Sequence, residues 1–244
     1  MKTIIAIIFT IASLQVFAQN SRPQTPYPPY PYDTLEYVVH NKIDNINLAG
    51  TITIPKDIKS VIVMATGSGS QNRDEELFGH RPFKVIADFL SRNGYAVLRM
   101  DDRGVGGSTG DPSTSTTNDF TTDITQAIQS LRDNELFKNK PIGVIGHSEG
   151  GTIAIKAADK SDFIITLAAP ALPGDSIILT QTKAILDASG QAANWQTIYP
   201  TLRQRYNVVM SNLPESLLKL QLYNDVVKDI PTIYLTEAMK DQIM

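Results

Sequence analysis

Ile142-Gly143-Val144-Ile145-Gly146-His147-Ser148-Glu149-Gly150-Gly151 is the stretch that decides the fold. Ile142 to Gly146 is a short apolar run and reads as a buried strand. A helix follows at once from near Gly150, and its Thr152, Ile153, Ala154, Ile155, Ala157 and Ala158 are apolar almost all round, which predicts a central, buried position. Between strand and helix lies the pattern G-x-S-x-G. In that setting Ser148 must sit on a sharp strand-to-helix turn that lifts its hydroxyl above the sheet. Side chains two residues before and after would collide in so tight a bend, so the pattern calls for glycine at Gly146 and Gly150. The Glu149 N–H then opens the helix and points at developing negative charge. A plain glycine-rich turn with a helix-capping serine is the competing reading.

Working outward, strand and helix alternate. Tyr37-Val38-Val39 and Leu48 to Ile54 read as early strands, and Val61 to Ala65 as a strand buried on both faces. Pro82 opens a helix whose Phe83, Ile86, Ala87 and Leu90 share one face, with Asn93-Gly94 ending it. Tyr95 to Met100 is the next strand. Phe120, Ile124, Ala127, Ile128 and Leu131 mark a second amphipathic helix with Asp119 and Asp123 near its positive end. Phe163 to Leu167 is a further strand. Repeated βα order predicts right-handed crossovers, hence an α/β fold with a mostly parallel sheet and helices on both faces. From Ser176 to about Lys228 the pattern is helical without strands, the character of a helical lid. Ile177, Ile178, Thr180 and Ile185 mark one helix and Leu213 to Val227 another, with Trp195 and Tyr199 read as packing residues. Thr232 to Met244 fits strand or helix.

Three loops carry further chemistry. Thr66-Gly67-Ser68-Gly69-Ser70 follows the Val61 strand, and the Ser68 N–H, with Gly69 as neighbour, is the second candidate oxyanion donor. A phosphate cradle is the rival, but the P-loop lysine and its Ser/Thr are missing. Asp101 to Gly110 lies at the carboxyl end of a strand, where ligands bind in such sheets. There Arg103 either orients a substrate carboxylate or, the favoured reading, holds the loop in an Asp–Arg pair. Arg73-Asp74-Glu75-Glu76 reads as a solvated loop or a local ion pair.

Residues 67–76, 101–110 and Gly-His-Ser-Glu-Gly-Gly at 146–151, taken together and in this order, resemble α/β-hydrolases of the serine aminopeptidase-like and dienelactone hydrolase-like bacterial esterase group. The resemblance spans roughly Leu48 to Asp187. It implies an α/β-hydrolase fold with a helical lid and hydrolysis of carboxylic esters through an acyl-serine intermediate on Ser148. A peptidase or amidase of the same fold and a non-catalytic hydrolase-like binding protein remain as alternatives. The sequence departs from the group's pattern in one respect. A serine hydroxyl needs a base, and in this fold the order is nucleophile, acid, histidine. The histidines are His40, His80 and His147, and none follows Ser148. His80 is the surrogate base to consider, His147 reads as a packing residue and His40 as a surface one. Asp175 is the best in-chain acid, ahead of Asp225 and Asp229. The expectation is therefore a chain truncated before the acid and histidine, with its C-terminal strands missing and its activity in doubt.

The 244 residues suit one large α/β domain, with 42% hydrophobic and 19% charged residues sufficient for a core. A net charge of −3 gives no basic face for nucleic acid. Lys2 followed by the apolar Ile4 to Phe17 and Val16-Phe17-Ala18 reads as a signal peptide over 1–18, cleaved before Gln19. That predicts a periplasmic or secreted protein with no stable membrane insertion after cleavage. Residues 19–36, with Pro23, Pro26, Pro28, Pro29 and Pro31, read as an extended Pro/Tyr-rich linker. The core is assigned to 37–175, and the helical lid and truncated C-terminus to 176–244. Cysteine is absent, so there is no disulfide framework and no thiolate chemistry. No cofactor or metal is implied, and the expected partner is a small-molecule ester or short acyl substrate.

Overall fold

The computed structural model describes residues 24–229; the signal peptide reading of 1–18 and the undecided stretch Thr232 to Met244 lie outside the described residues. The chain divides after Pro170 into two compact units. The first holds a six-stranded sheet in the order β1-β2-β4-β3-β5-β6, from β1 (Asp33–Asn41), β2 (Ile46–Ile54), β3 (Ser60–Ala65), β4 (Tyr95–Met100), β5 (Ile142–His147) and β6 (Phe163–Leu167). β1, β2 and β4 pair antiparallel, while β4, β3, β5 and β6 run parallel, which makes the sheet mostly parallel.

β1 begins four residues before the apolar pattern shows it, because Asp33 to Glu36 are exposed and owe their extension to the ladder with β2, from Asp33 opposite Ile54 to Glu36 opposite Thr51. The end of the Pro/Tyr-rich segment is likewise more than a spacer. Tyr32 is buried, stacks on Tyr30 with ring centroids 5.2 Å apart, and donates a 2.7 Å hydrogen bond to Asp88.

Helices cover both faces of the sheet. α1 (Pro82–Arg92) packs Phe83 and Ala87 against Ile62, Met64, Val97 and Ile145. α2 (Thr117–Arg132) and α3 (Glu149–Lys156) pack Ile124, Ala127, Ile128, Leu131, Ile153 and Ala154 against Val61, Val63, Ala65, Leu98 and Val144 on the other face. β3 is buried at every position, as its unbroken apolar run requires. Each such side chain removed from water contributes about 1.5–3 kcal/mol. α3 departs from the all-round burial its composition suggests: Gly150, Gly151, Ile153 and Ala154 are buried, but Ile155 is 53% exposed.

The second unit is helical: α4 (Gly174–Ala188), α5 (Trp195–Val209), which carries Pro200 inside it, and α6 (Glu215–Asp229). α4 buries Leu179 and Leu186 rather than Ile178 and Ile185, which are exposed. Trp195 and Tyr199 pack on each other, with ring centroids 5.0 Å apart. Among the described residues no helix is long and apolar enough to cross a membrane.

Arg103 settles its own reading. Its guanidinium donates to both carboxylate oxygens of Asp123, at 2.8 and 2.9 Å, to Asp44 at 2.8 Å and to the Asp119 carbonyl at 2.9 Å. Arg103 and Asp123 are both buried, so the pair fastens the 101–110 loop to α2 and to the β1–β2 turn instead of facing a substrate. Asp123 is thus an ion-pair partner and not merely a charge at a helix end. Replacing Arg103 with leucine is expected to cost about 3–5 kcal/mol in urea unfolding, because Asp123 is left buried without its partner. Leucine at both positions is expected to recover much of that loss.

Candidate active site

Ser148 joins β5 to α3 with φ 53° and ψ −118°, a left-handed conformation rare for a residue with a side chain. The bend is held by the Ser148 N–H, which donates to the Leu167 carbonyl of β6 at 2.9 Å, and by the Gly151 N–H, which donates to the Ser148 carbonyl at 2.9 Å. Its two glycines are sterically required. A Cβ at Gly146 would lie 1.9 Å from the Gly150 carbonyl oxygen, and one at Gly150 would lie 2.1 Å from the Ala65 carbonyl oxygen.

The loop after β3 passes beside this turn: a Cβ built on Gly67 would lie 3.4 Å from Ser148 Cβ. Ser68, the next residue, therefore stands next to the serine. Among the described residues the main-chain N–H groups of Ser68 and Glu149 make no hydrogen bond, whereas the Gly67 N–H is taken by Glu75 Oε1 at 2.7 Å. Both N–H groups are thus unengaged among the described residues.

The loop is tied down by carboxylates. Asp102 accepts the Thr66 hydroxyl at 2.6 Å and the Gln71 N–H at 2.9 Å. Arg73 grips Asp101 through Nε at 3.1 Å and Nη2 at 2.8 Å, Asp74 pairs with buried Arg99, and Glu76 pairs with Arg81 at 2.8 Å. The reading of residues 73–76 as a solvated loop or local pair is corrected here: three of the four charges reach partners 20 or more positions away in sequence. Across the elbow, the Thr117 hydroxyl donates to Glu149 Oε1 at 2.6 Å, joining the starts of α2 and α3.

The other sequence candidates have partners of their own among the described residues. His80 is exposed, and its ring lies 3.4 Å from the Gln24 amide. His40 contacts Asn47 across the β1–β2 hairpin. His147 Nδ1 lies 2.8 Å from Glu75 Oε1, so the ring has a hydrogen-bond partner beyond the packing role its position suggests. Asp175 belongs to the helical unit, where it pairs with Arg203 at 2.8 Å. Among the described residues no side chain hydrogen-bonds the Ser148 hydroxyl, and no group of three or more His, Asp or Glu is placed to hold a metal ion. Glu75, Asp102 and Thr117 are contributors that sequence reading misses. The one local signal was Asn72, whose side-chain oxygen accepts the N–H groups of Asp74 and Glu76 and so shapes the turn that carries Glu75.

A mostly parallel sheet with a serine elbow at the end of an inner strand, β5, is the pattern of an α/β-hydrolase. Residues 81–233 match the family described as serine aminopeptidase, S33, and the chain belongs to that family. Esterase EstD of Thermotoga maritima is 32% identical over 152 residues, which cover 60% of this chain and 36% of that protein. Among solved structures, the Pyrococcus furiosus esterase Pf2001 shares the fold with a TM-score of 0.52 at 23% identity, over 64% of this chain and 56% of that one. A hypothetical protein of Pseudomonas aeruginosa does so with a TM-score of 0.50 at 19% identity, over 68% and 57%. This chain thus spans little more than half the length of these solved structures and about a third of the curated relative.

Burial dominates the electrostatics of the site's floor. It pushes the Asp102 carboxyl from 3.8 up to about 6, against the hydrogen bonds from Thr66 and Gln71 and with a further push from the Asp123 and Glu75 charges. Burial also raises Asp123 despite Arg103. At Asp101, by contrast, burial is outweighed by the Arg73 side chain and by the N–H groups of Arg73 and Gly107, which hold it below the ordinary value. The folded protein therefore binds the Asp102 proton more tightly than the unfolded chain does. Stability from this group is fully present below pH 3.8 and is lost as pH rises through about 6. Asp102→Asn cannot titrate. Urea unfolding at steps from pH 4 to 7 is expected to show the wild type losing ground to the variant up to about pH 6 and holding level above it. A difference that stays constant with pH would show that Asp102 ionises normally.

Proposed function

We propose that this chain is a serine hydrolase of carboxylic esters. The observation that carries the proposal is Ser148 in its left-handed elbow beside the unengaged N–H groups of Ser68 and Glu149. In this reading Ser148 Oγ attacks the ester carbonyl carbon, and the carbonyl oxygen takes up the negative charge between those two donors. The C–O bond to the alcohol then breaks, with the serine proton passing through solvent water to the departing alkoxide oxygen, leaving an acyl-serine that a water molecule hydrolyses to free acid and serine. The esterase named among the relatives supports ester over amide chemistry. The family's own description favours a second reading, in which the acyl donor is a short peptide or amide. The leader-like segment at residues 1–18 supports an enzyme that works in the periplasm or outside the cell.

Among the described residues nothing accepts the Ser148 proton, so the expected chemistry is slow. A fluorophosphonate probe added to the full chain should label Ser148 slowly, and Ser148→Ala should reduce labelling to background. Labelling that survives Ser148→Ala would place the nucleophile elsewhere. Turnover of short-acyl esters measured beside aminoacyl amides then separates esterase from peptidase. A chain that turns over neither and takes no label would fit a binding protein built on the hydrolase fold.

A further inference from the structure

We propose that Glu75 is a positioning residue of the Ser148 site, its Oε1 atom clasping together the two backbone segments that carry the nucleophile and the loop donor. The inference rests on the reading of Ser148 and Ser68 given above. One oxygen accepts the Gly67 N–H at 2.7 Å and contacts His147 Nδ1 at 2.8 Å. Gly67 immediately precedes Ser68, and His147 immediately precedes Ser148. The clasp therefore acts one residue away from each reacting group, and it sets the separation between them without touching substrate. It also engages the Gly67 N–H, which is therefore not offered to a substrate.

The way Glu75 is presented argues for a demanding task. Its backbone is left-handed at φ 51°, a conformation that is strained for a residue with a side chain and persists only where its surroundings enforce it. They do so here. The Glu75 N–H donates to the Asn72 carbonyl at 2.9 Å, the Asn72 side chain accepts the flanking N–H groups, and the preceding Arg73 and Asp74 are anchored to Asp101 and Arg99 at the end of β4. The carboxylate that results is only 11% exposed, and Gly67 leaves it room: a Cβ there would come within 3.0 Å of Oε1. An acceptor at this place also fixes a proton on His147 Nδ1, so the Nδ1–H form of the ring is the one the clasp selects.

The test compares Glu75→Ala with Glu75→Gln in the full chain. Glutamine keeps an oxygen that can accept both contacts, and alanine keeps none. In the wild type, ¹⁵N spectra should show the His147 proton on Nδ1, and the Gly67 amide should exchange slowly. In a folded Glu75→Ala protein the Gly67 amide should exchange at least about tenfold faster, and fluorophosphonate labelling of Ser148 should slow by about tenfold, the scale of one lost charged hydrogen bond. Glu75→Gln should restore both to within about threefold of wild type. Labelling at the wild-type rate in folded Glu75→Ala would overturn the proposal, as would Glu75→Gln behaving like alanine. If the alanine variant does not fold, the wild-type ring decides: a His147 proton on Nε2 alone overturns the clasp. Absence of labelling in the wild type would count against the hydrolase reading, while Gly67 exchange and the His147 tautomer would still judge Glu75.

Discussion

The first turn of α3 lies against the end of β3 with only hydrogen atoms between backbone and backbone. At Gly150 the Ala65 carbonyl stands where a Cβ would have to go, and at Gly146 the Gly150 carbonyl does the same. This close approach brings the start of a helix, with its unpaired N–H groups, to the point where two parallel strands end. Ser148 takes a left-handed backbone at this bend. The loop leaving β3 shares the same contact, since Ala65 and Thr66 are the residues that Gly150 approaches. The Ser148 turn and the start of the Thr66 loop thus meet at one backbone contact, and the other contacts described at the site refine it.

The refinement is electrostatic. Five acidic side chains, at 74, 75, 76, 101 and 102, hold the segment from Thr66 to Arg81, each with a named partner. They differ in the cost of their charge. Asp101 has a bidentate arginine and two backbone N–H groups and stays ionised readily, whereas Asp102 has two neutral donors and holds its proton to about pH 6. The loop beside Ser148 is therefore anchored by one group that stays charged well into the acid range and another that takes up its proton as pH falls through about 6.

How much could be read in advance follows the range of the forces involved. The elbow was legible because its constraint is local: glycines two residues either side of a serine, between a strand pattern and a helix pattern, admit few conformations. Strand β3 and helix α1 were legible for the same reason, their apolar periodicity being enforced by burial. Exposed Asp33 to Glu36 carried no such pattern, and only pairing with β2 extends them. In α4 the sets Ile178/Ile185 and Leu179/Leu186 have the same seven-residue spacing, so periodicity showed a helix without showing which face is buried. Glu75 with His147 and Arg103 with Asp123 were out of reach because the partners stand 72 and 20 positions apart, and charge alone does not name a distant partner.

β6 closes the row of strands, and among the described residues its ladder runs to β5 alone. Its last residue, Leu167, supplies the carbonyl that receives the Ser148 N–H. The outermost described strand is therefore tied to Ser148 by one backbone hydrogen bond, and among the described residues no strand pairs with its far side. The residue whose carbonyl fixes the Ser148 turn is thus also the last residue of the border strand.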